Sequence, residues 1–125
     1  MKNKIYTRKQ VAYIVGVSVR QLKEWAKHQD GFILPQPTYL PVTRRTFIAL
    51  LAYCRNGPPL RRVPRPLKSQ KQLLAHFRVS RHILKQWNTA GLPRYVFTPR
   101  CVRYEIREVT EWLSENNFST KEHTP

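Results

Sequence analysis

The chain has 125 residues, which is enough for one average domain or two small ones, and 41% of them are hydrophobic, enough for a packed core. Against 7 acidic residues stand 23 lysines and arginines, a net charge of +16. Such an excess favours a polyanionic partner, with nucleic acid first and an anionic membrane surface second. The apolar run Phe47 to Cys54 is too short to span a bilayer, which needs about 20 residues. The basic first residues lack the apolar stretch of a signal peptide, so we expect a soluble, cytoplasmic, nucleoid-associated protein.

The first predicted elements are two helices joined by a tight turn. The stretch TRKQ, which starts at Thr7, is a capping box whose hydroxyl and amide can satisfy free N–H groups at a helix start. About eight residues later Gly16 permits a turn, and Ser18 offers a second N-cap. Leu22 and Trp25 lie three residues apart and face one side of the second helix.

The same pattern returns 62 residues later, since VSVRQLKEW (17–25) reappears as VSRHILKQW (79–87). Thr7 falls on Ser69 and Trp25 on Trp87, so the sequence predicts a duplicated fold that is mainly α-helical. The predicted parts are an N-terminal domain 1–54, a linker 55–66, a C-terminal domain 67–117 and a tail 118–125.

The residues that differ between the copies face outward. In a helix-turn-helix, the second helix presents its N-terminal residues to base edges in the major groove. We therefore expect the fixed residues to build the scaffold and the changed ones to read different DNA sequences. A single such helix is equally compatible with charges that only solvate an amphipathic surface. The candidate contacts are Ser18, Arg20, Lys23 and Lys27 in copy one, and Arg78, Ser80, Arg81, His82 and Lys85 in copy two.

Copy one continues with a proline-crowded segment and a closing helix that starts from Thr43. Pro35, Pro37 and Pro41 argue against a regular wing there. Arg44 and Arg45 lie in the first helical turn, against the helix dipole, which favours an external anion as their partner. The alternative is that copy one docks a protein.

The linker RNGPPLRRVPRP contains four prolines and four arginines, which predicts an extended, stiff and positively charged connector. At full stretch it would span about 30–35 Å at ~3.1 Å per residue. That is close to one turn of DNA, so both reader helices could enter successive major grooves. Arg61, Arg62 and Arg65 would then cross the intervening minor groove. The alternative is a solvated linker whose arginines only aid solubility.

Copy two continues with a predicted hairpin wing. RYVF (94–97) and CVRY (101–104) are typical of two short strands around Thr98-Pro99-Arg100. Arg94, Arg100 and Arg103 would line the wing, and suit phosphates or the minor groove. Gly91 can end the preceding helix, and 105–116 predicts a closing helix.

Copy two resembles, over about fifty residues, the MerR-like winged helix-turn-helix of excisionases and small-terminase DNA-binding domains. The resemblance implies two tandem winged helix-turn-helix domains that bind DNA, with the second helix in the major groove and the wing on the neighbouring minor groove or backbone. Two positions depart from the pattern: Arg78 stands where a turn glycine is usual, and Leu74 where a small alanine is usual. The matching residues are Val79, Ser80, Leu84, Trp87, Gly91, Leu92, Pro93, Arg103, Tyr104, Trp112 and Leu113.

No catalytic, metal or cofactor constellation emerges from the sequence. The histidines have no metal-ligand spacing. The acids of the last helix, from Glu105 to Glu115, are typical of a solvated face. Cys54 and Cys101 are isolated and are interpreted as reduced thiols.

The expected function is therefore non-enzymatic, sequence-specific binding of double-stranded DNA, by a monomer or a cooperative assembly. The biological role would be excisionase-like, in recombination directionality, or transcriptional regulation of a mobile element or phage. The partner would be double-stranded DNA, with a recombinase or another DNA-processing protein as a second partner. The alternative is an adaptor that recruits a larger machine to DNA, such as a small terminase subunit or a replication, partition or conjugation factor.

Overall fold

The computed structural model describes residues 5–28 and 42–116. This part contains six helices and two small antiparallel sheets, which agrees with the predicted mainly helical chain carrying short β-hairpins. None of its helices has the length and apolar character needed to cross a membrane. The elements are β1 Ile5–Tyr6, α1 Arg8–Val15, α2 Val19–His28, β2 Val42–Thr43, α3 Arg44–Cys54, β3 Arg55–Asn56, α4 Gln70–Phe77, α5 Arg81–Thr89, β4 Arg94–Thr98, β5 Cys101–Arg103 and α6 Ile106–Glu115.

The sequence repeat is present in the fold, at the same offset of 62 residues. Helices α1 and α4 correspond residue for residue, and α5 and α6 begin 62 positions after α2 and α3. Even the strand pairing is repeated, because Tyr6 pairs with Val42 and Lys68 pairs with Tyr104. Each copy is therefore a helix pair followed by a closing helix. The backbone just before the closing helix pairs with the segment that precedes the first helix.

Local capping explains where the helix pairs begin and turn. Thr7 and Ser69 each form the predicted capping box with the glutamine three residues later. α1 ends at Gly16, which has a left-handed backbone with φ of 86°. α4 ends at the equivalent Arg78, also left-handed with φ of 56°, the only such non-glycine among the described residues. An L-residue with a side chain is disfavoured in that region, so Arg78 carries backbone strain.

The predicted apolar anchors are buried. Leu22 and Trp25 of α2 are buried in one core, and Leu84 and Trp87 of α5 in another. α5 ends at Thr89 with Ala90 as its C-cap, and Gly91 follows with a left-handed backbone, as predicted for a glycine that closes the helix. The Gly91 N–H donates to the Asn88 carbonyl, and the Leu92 N–H donates to that of Trp87. The leucine and tryptophan that the two copies share thus hold each second helix against its own core.

The predicted wing of copy two is confirmed as a hairpin, but its strands are not a free wing. β4 pairs with β5 on one side and with β3, at the start of the connector, on the other. Tyr95, Phe97 and Cys101 belong to the core cluster of copy one, whereas Tyr104 belongs to that of copy two. The hairpin therefore lies between the two copies, since its aromatic face completes the N-terminal core.

The connector 55–66 packs against the rest of the chain over part of its length, which the sequence did not indicate. Its first two residues form β3, and Leu60 and Val63 pack against the N-terminal core. Pro64 is buried, and the next segment is tied down because Leu67 N–H donates to the Ile14 carbonyl at 2.7 Å. Proline prevents a helix here but does not prevent burial, and the apolar residues between the arginines gain more from packing than from remaining in water.

Candidate nucleic-acid interface

The outward face of α2 carries exposed basic side chains, and its opposite face is buried. Arg20 and Lys23 are exposed, while Leu22 and Trp25, on the opposite face, are buried. Ser18 accepts the Gln21 N–H at 3.0 Å, so its hydroxyl caps the helix as predicted. Lys27 lies in the last turn of α2, but its side chain and the whole segment 29–41, with the doubtful wing of copy one, lie outside the described residues.

The corresponding face of α5 has the same design with different side chains. Arg81, His82 and Lys85 are exposed over buried Leu84. Ser80 accepts the Ile83 N–H at 3.3 Å and caps the helix. The exposed Arg78 lies in the turn before it. In both copies, then, the serine caps the helix and the variable cations are exposed to solvent.

The hairpin tip, Pro99 and Arg100, lies between the two candidate reader helices. On one side a groove of about 770 Å³ separates the tip from the start of α2, with Ser18 and Gln21 in its wall. On the other side a groove of about 670 Å³ separates the tip from the starts of α4 and α5, with Lys71 and Arg81 in its wall. Arg100 lines both grooves and is exposed. The tip thus lies between α2 and the starts of α4 and α5. The α2 side of its groove includes the acidic Glu24, whereas Arg20 and Lys23 do not line it.

Arg103 makes an internal contact that the sequence did not suggest. Its Nε and Nη2 both donate to the Gly16 carbonyl, at 3.3 and 3.1 Å, and Nη1 donates to the Val102 carbonyl at 3.1 Å. The guanidinium is therefore placed against the turn of copy one, although it still lines both grooves. Arg94 is half-buried in β4, and its Nε is buried without a partner.

The other predicted arginines lie on separate elements. Arg44 and Arg45 are exposed in the first turn of α3, and Arg61 and Arg62 are exposed in the connector. The side chain of Arg65 is exposed, and its backbone N–H donates to Glu105 at 2.6 Å. None of these five lines the grooves beside the hairpin tip. The structure therefore does not group the connector arginines with the cations beside the hairpin tip.

The acids of α6 include an ion pair that sequence reasoning missed. Arg55 makes a bidentate contact to Glu108, in which Nη1 lies 2.8 Å from Oε1 and Nη2 contacts Oε2. The same guanidinium lies over the Tyr95 ring, 5.2 Å from its centroid. Burial lowers the pKa of Arg55, but Glu108 and Tyr95 outweigh it, so that the pKa rises above its ordinary value. Only Glu111 and Glu115 fit the solvated face that we expected.

The two cysteines are free and buried, as expected for structural thiols. Burial raises the pKa of Cys54 to about 11, and burial also raises the pKa of Cys101 despite the nearby Arg103. Both thiols therefore stay protonated and poorly nucleophilic near neutral pH. Within residues 5–28 and 42–116, no group of three or more His, Cys, Asp or Glu could hold a metal ion.

Comparisons of this chain with protein-family models, with curated proteins and with solved structures found no match, so any functional assignment depends on the residues described above.

Proposed function

We propose that this protein is a non-enzymatic, sequence-specific binder of double-stranded DNA, built from two tandem winged helix-turn-helix units of the MerR-like type. The observation that carries the proposal is the exposed basic face of α2, the exposed basic face of α5 and Arg100 between them. Three cationic elements in this order suit a duplex, because two helices can enter major grooves while the tip meets the minor groove between them. The biological role would be excisionase-like or that of a regulator of a mobile element or phage.

The electrostatics favour a polyanion over a neutral partner. Among the described acids, Glu105 and Glu108 are used internally, by the connector backbone and by Arg55. On the reader helices Arg20, Lys23, Arg81 and Lys85 are exposed, and the net charge of the chain is +16. Phosphate binding releases counterions, which gives such a surface a strong, salt-dependent affinity.

The test is binding of the full chain to duplexes enriched from a random DNA pool, followed by fluorescence anisotropy at several salt concentrations. With about 6–10 phosphates neutralised, affinity should fall roughly 10³–10⁵-fold between 50 and 200 mM salt. Failure to enrich any duplex, a nearly salt-independent association, or equal preference for heparin and the enriched DNA would each overturn the proposal.

Substitutions in the two helices test base reading. Arg20→Ala in α2 and Lys85→Ala in α5 should each weaken binding to the enriched duplex by about 1–3 kcal/mol if they contact bases. Arg107→Ala removes the same charge from α6, where Arg107 is exposed and lies 3.8 Å from Glu111, and serves as the matched control. Equal losses on enriched and random duplexes would mean that the helices contact only phosphates.

A further inference from the structure

The two copies are joined by packing on both sides of the shared hairpin. The Trp25 ring of α2 stacks on Phe97 of β4, with centroids 5.7 Å apart and planes inclined by 18°. Tyr95 stacks in turn on Phe97, and it is completely buried. The reader helix of copy one is thus fixed directly to the hairpin of copy two, and turning one against the other would expose these rings to water.

Hydrogen bonds and an ion pair also join the two copies, at several separate positions. Arg103 of β5 donates twice to the Gly16 carbonyl, immediately before α2. Leu67 N–H donates to the Ile14 carbonyl, and the Arg55 pair with Glu108 joins the start of the connector, directly after α3, to α6. Two domains in one chain normally move relative to each other unless their interface is large and hydrophobic. Here a hinge motion would have to break a shared core, a strand pairing and these bonds together.

We infer that the two helix pairs form one rigid reading unit, which recognises a composite DNA site with two unlike half-sites at a single fixed separation. The inference depends on the proposed DNA binding and specifies the class of target. The half-sites are unlike because Arg20 and Lys23 face outward on α2, whereas Arg81, His82 and Lys85 do so on α5. The separation is set by the packed hairpin and not by the length of the connector.

The DNA geometry agrees with the order of the elements. Successive major grooves lie about 34–36 Å apart, with a minor groove between them. A hairpin tip between two reader helices faces that minor groove, and Arg100 is the exposed cation at this tip. Arginine is favoured where the groove is narrow. One chain can therefore cover a non-palindromic site as long as the palindrome that a symmetric dimer covers.

The first experiment varies the spacing in the enriched site. Each base pair inserted between the half-sites moves one of them by about 3.4 Å and rotates it by about 35°. For the rigid unit we expect at least about a tenfold loss for one base pair added or removed, and single-half-site affinity at five added base pairs. Ten added base pairs return both half-sites to the same face of the duplex but increase the distance between them, so affinity stays low. Flexibly tethered domains would tolerate one base pair and recover at ten.

A lengthened connector provides the matched control. Four Gly/Ser residues inserted between Arg61 and Arg62, which are both exposed, leave the packed hairpin unchanged. The rigid unit keeps the same optimal spacing with this insertion, while a tethered pair shifts to longer spacings. A shifted or broadened optimum overturns the inference, with thermal unfolding recorded to verify that the variant is folded.

The outcomes separate this inference from the proposed function. If no duplex is enriched, the DNA-binding proposal itself fails; if enriched duplexes hold half-sites at variable spacings, only the rigid unit fails. Amide ¹⁵N relaxation of the full chain without DNA gives an independent readout. The rigid unit requires one rotational correlation time for α1–α3 and α4–α6, and two clearly different values would overturn it regardless of any DNA result.

Discussion

The ion pair between Arg55 and Glu108 is the sharpest single test of how the copies are joined. The side chains are 4% and 21% exposed, so the pair is largely removed from water. Glu108→Gln keeps the shape and part of the hydrogen bonding but leaves the Arg55 charge buried without a counterion. Removing one partner of a buried pair costs up to about 3–5 kcal/mol, and a hydrogen bond to a charged group contributes about 1.5–3 kcal/mol. Because glutamine can still accept one bond, we expect a loss of about 2–3 kcal/mol in the free energy of unfolding.

Urea unfolding followed by tryptophan fluorescence measures this loss, and an exposed pair supplies the control. Arg107 and Glu111 lie 3.8 Å apart on α6 with side chains 49% and 61% exposed. Glu111→Gln should therefore cost no more than about 0.5 kcal/mol. In Arg55→Met combined with Glu108→Leu, no unpaired charge remains, so the double variant should be more stable than Glu108→Gln alone. Equal effects of Glu108→Gln and Glu111→Gln would refute the reasoning that burial makes the first pair important.

Three further predictions follow from the turns and the thiols. Arg78→Gly should raise the free energy of unfolding by about 0.5–1 kcal/mol in urea unfolding, because relief of left-handed strain exceeds the added freedom of the unfolded chain. Gly16→Ala should lower it by about 1–3 kcal/mol, since the φ of 86° is strained and a Cβ there lies 3.0 Å from the Leu67 carbonyl oxygen. A stabilising Gly16→Ala would contradict the close approach. Burial raises the pKa of Cys54 to about 11 from 9.0, so its contribution to stability is complete below pH 9 and declines as pH rises toward 11. This decline should be smaller in Cys54→Ala, and thiol labelling of the native chain at pH 8 should be much slower than in denaturant; fast native labelling would contradict the burial.

The helices could be predicted from the sequence because their signals are local. Capping boxes, the serine caps and the paired leucine and tryptophan all lie within one or two turns of the element they define. The same signals occur in both copies, and α4 and α5 begin directly after their predicted caps. The closing helix of copy one likewise begins at its predicted cap, Thr43.

The joining of the copies could not be predicted, because its contacts are distant in sequence. Arg55 and Glu108 are separated by 53 residues, and nothing in their neighbours marks either as buried. One signal was available in the hairpin itself. Tyr95 and Phe97 lie on one face of β4, in alternation with Arg94, Val96 and Thr98. Two large aromatic residues on one face are not expected in a wing whose faces are both exposed to solvent. That alternation indicates a sheet that packs against another part of the chain.

The shared core has a consequence for synthesis on the ribosome. Copy one is complete as a sequence at Cys54, but the strand that covers Trp25 ends only at Thr98. At about 5–20 residues per second, translation of the intervening stretch takes roughly 2–9 seconds. During that interval the nascent N-terminal half exposes the apolar surface that Tyr95 and Phe97 later cover. Each truncation upstream of the hairpin would leave the same surface open, so neither copy is a module that the gene can lose or exchange independently.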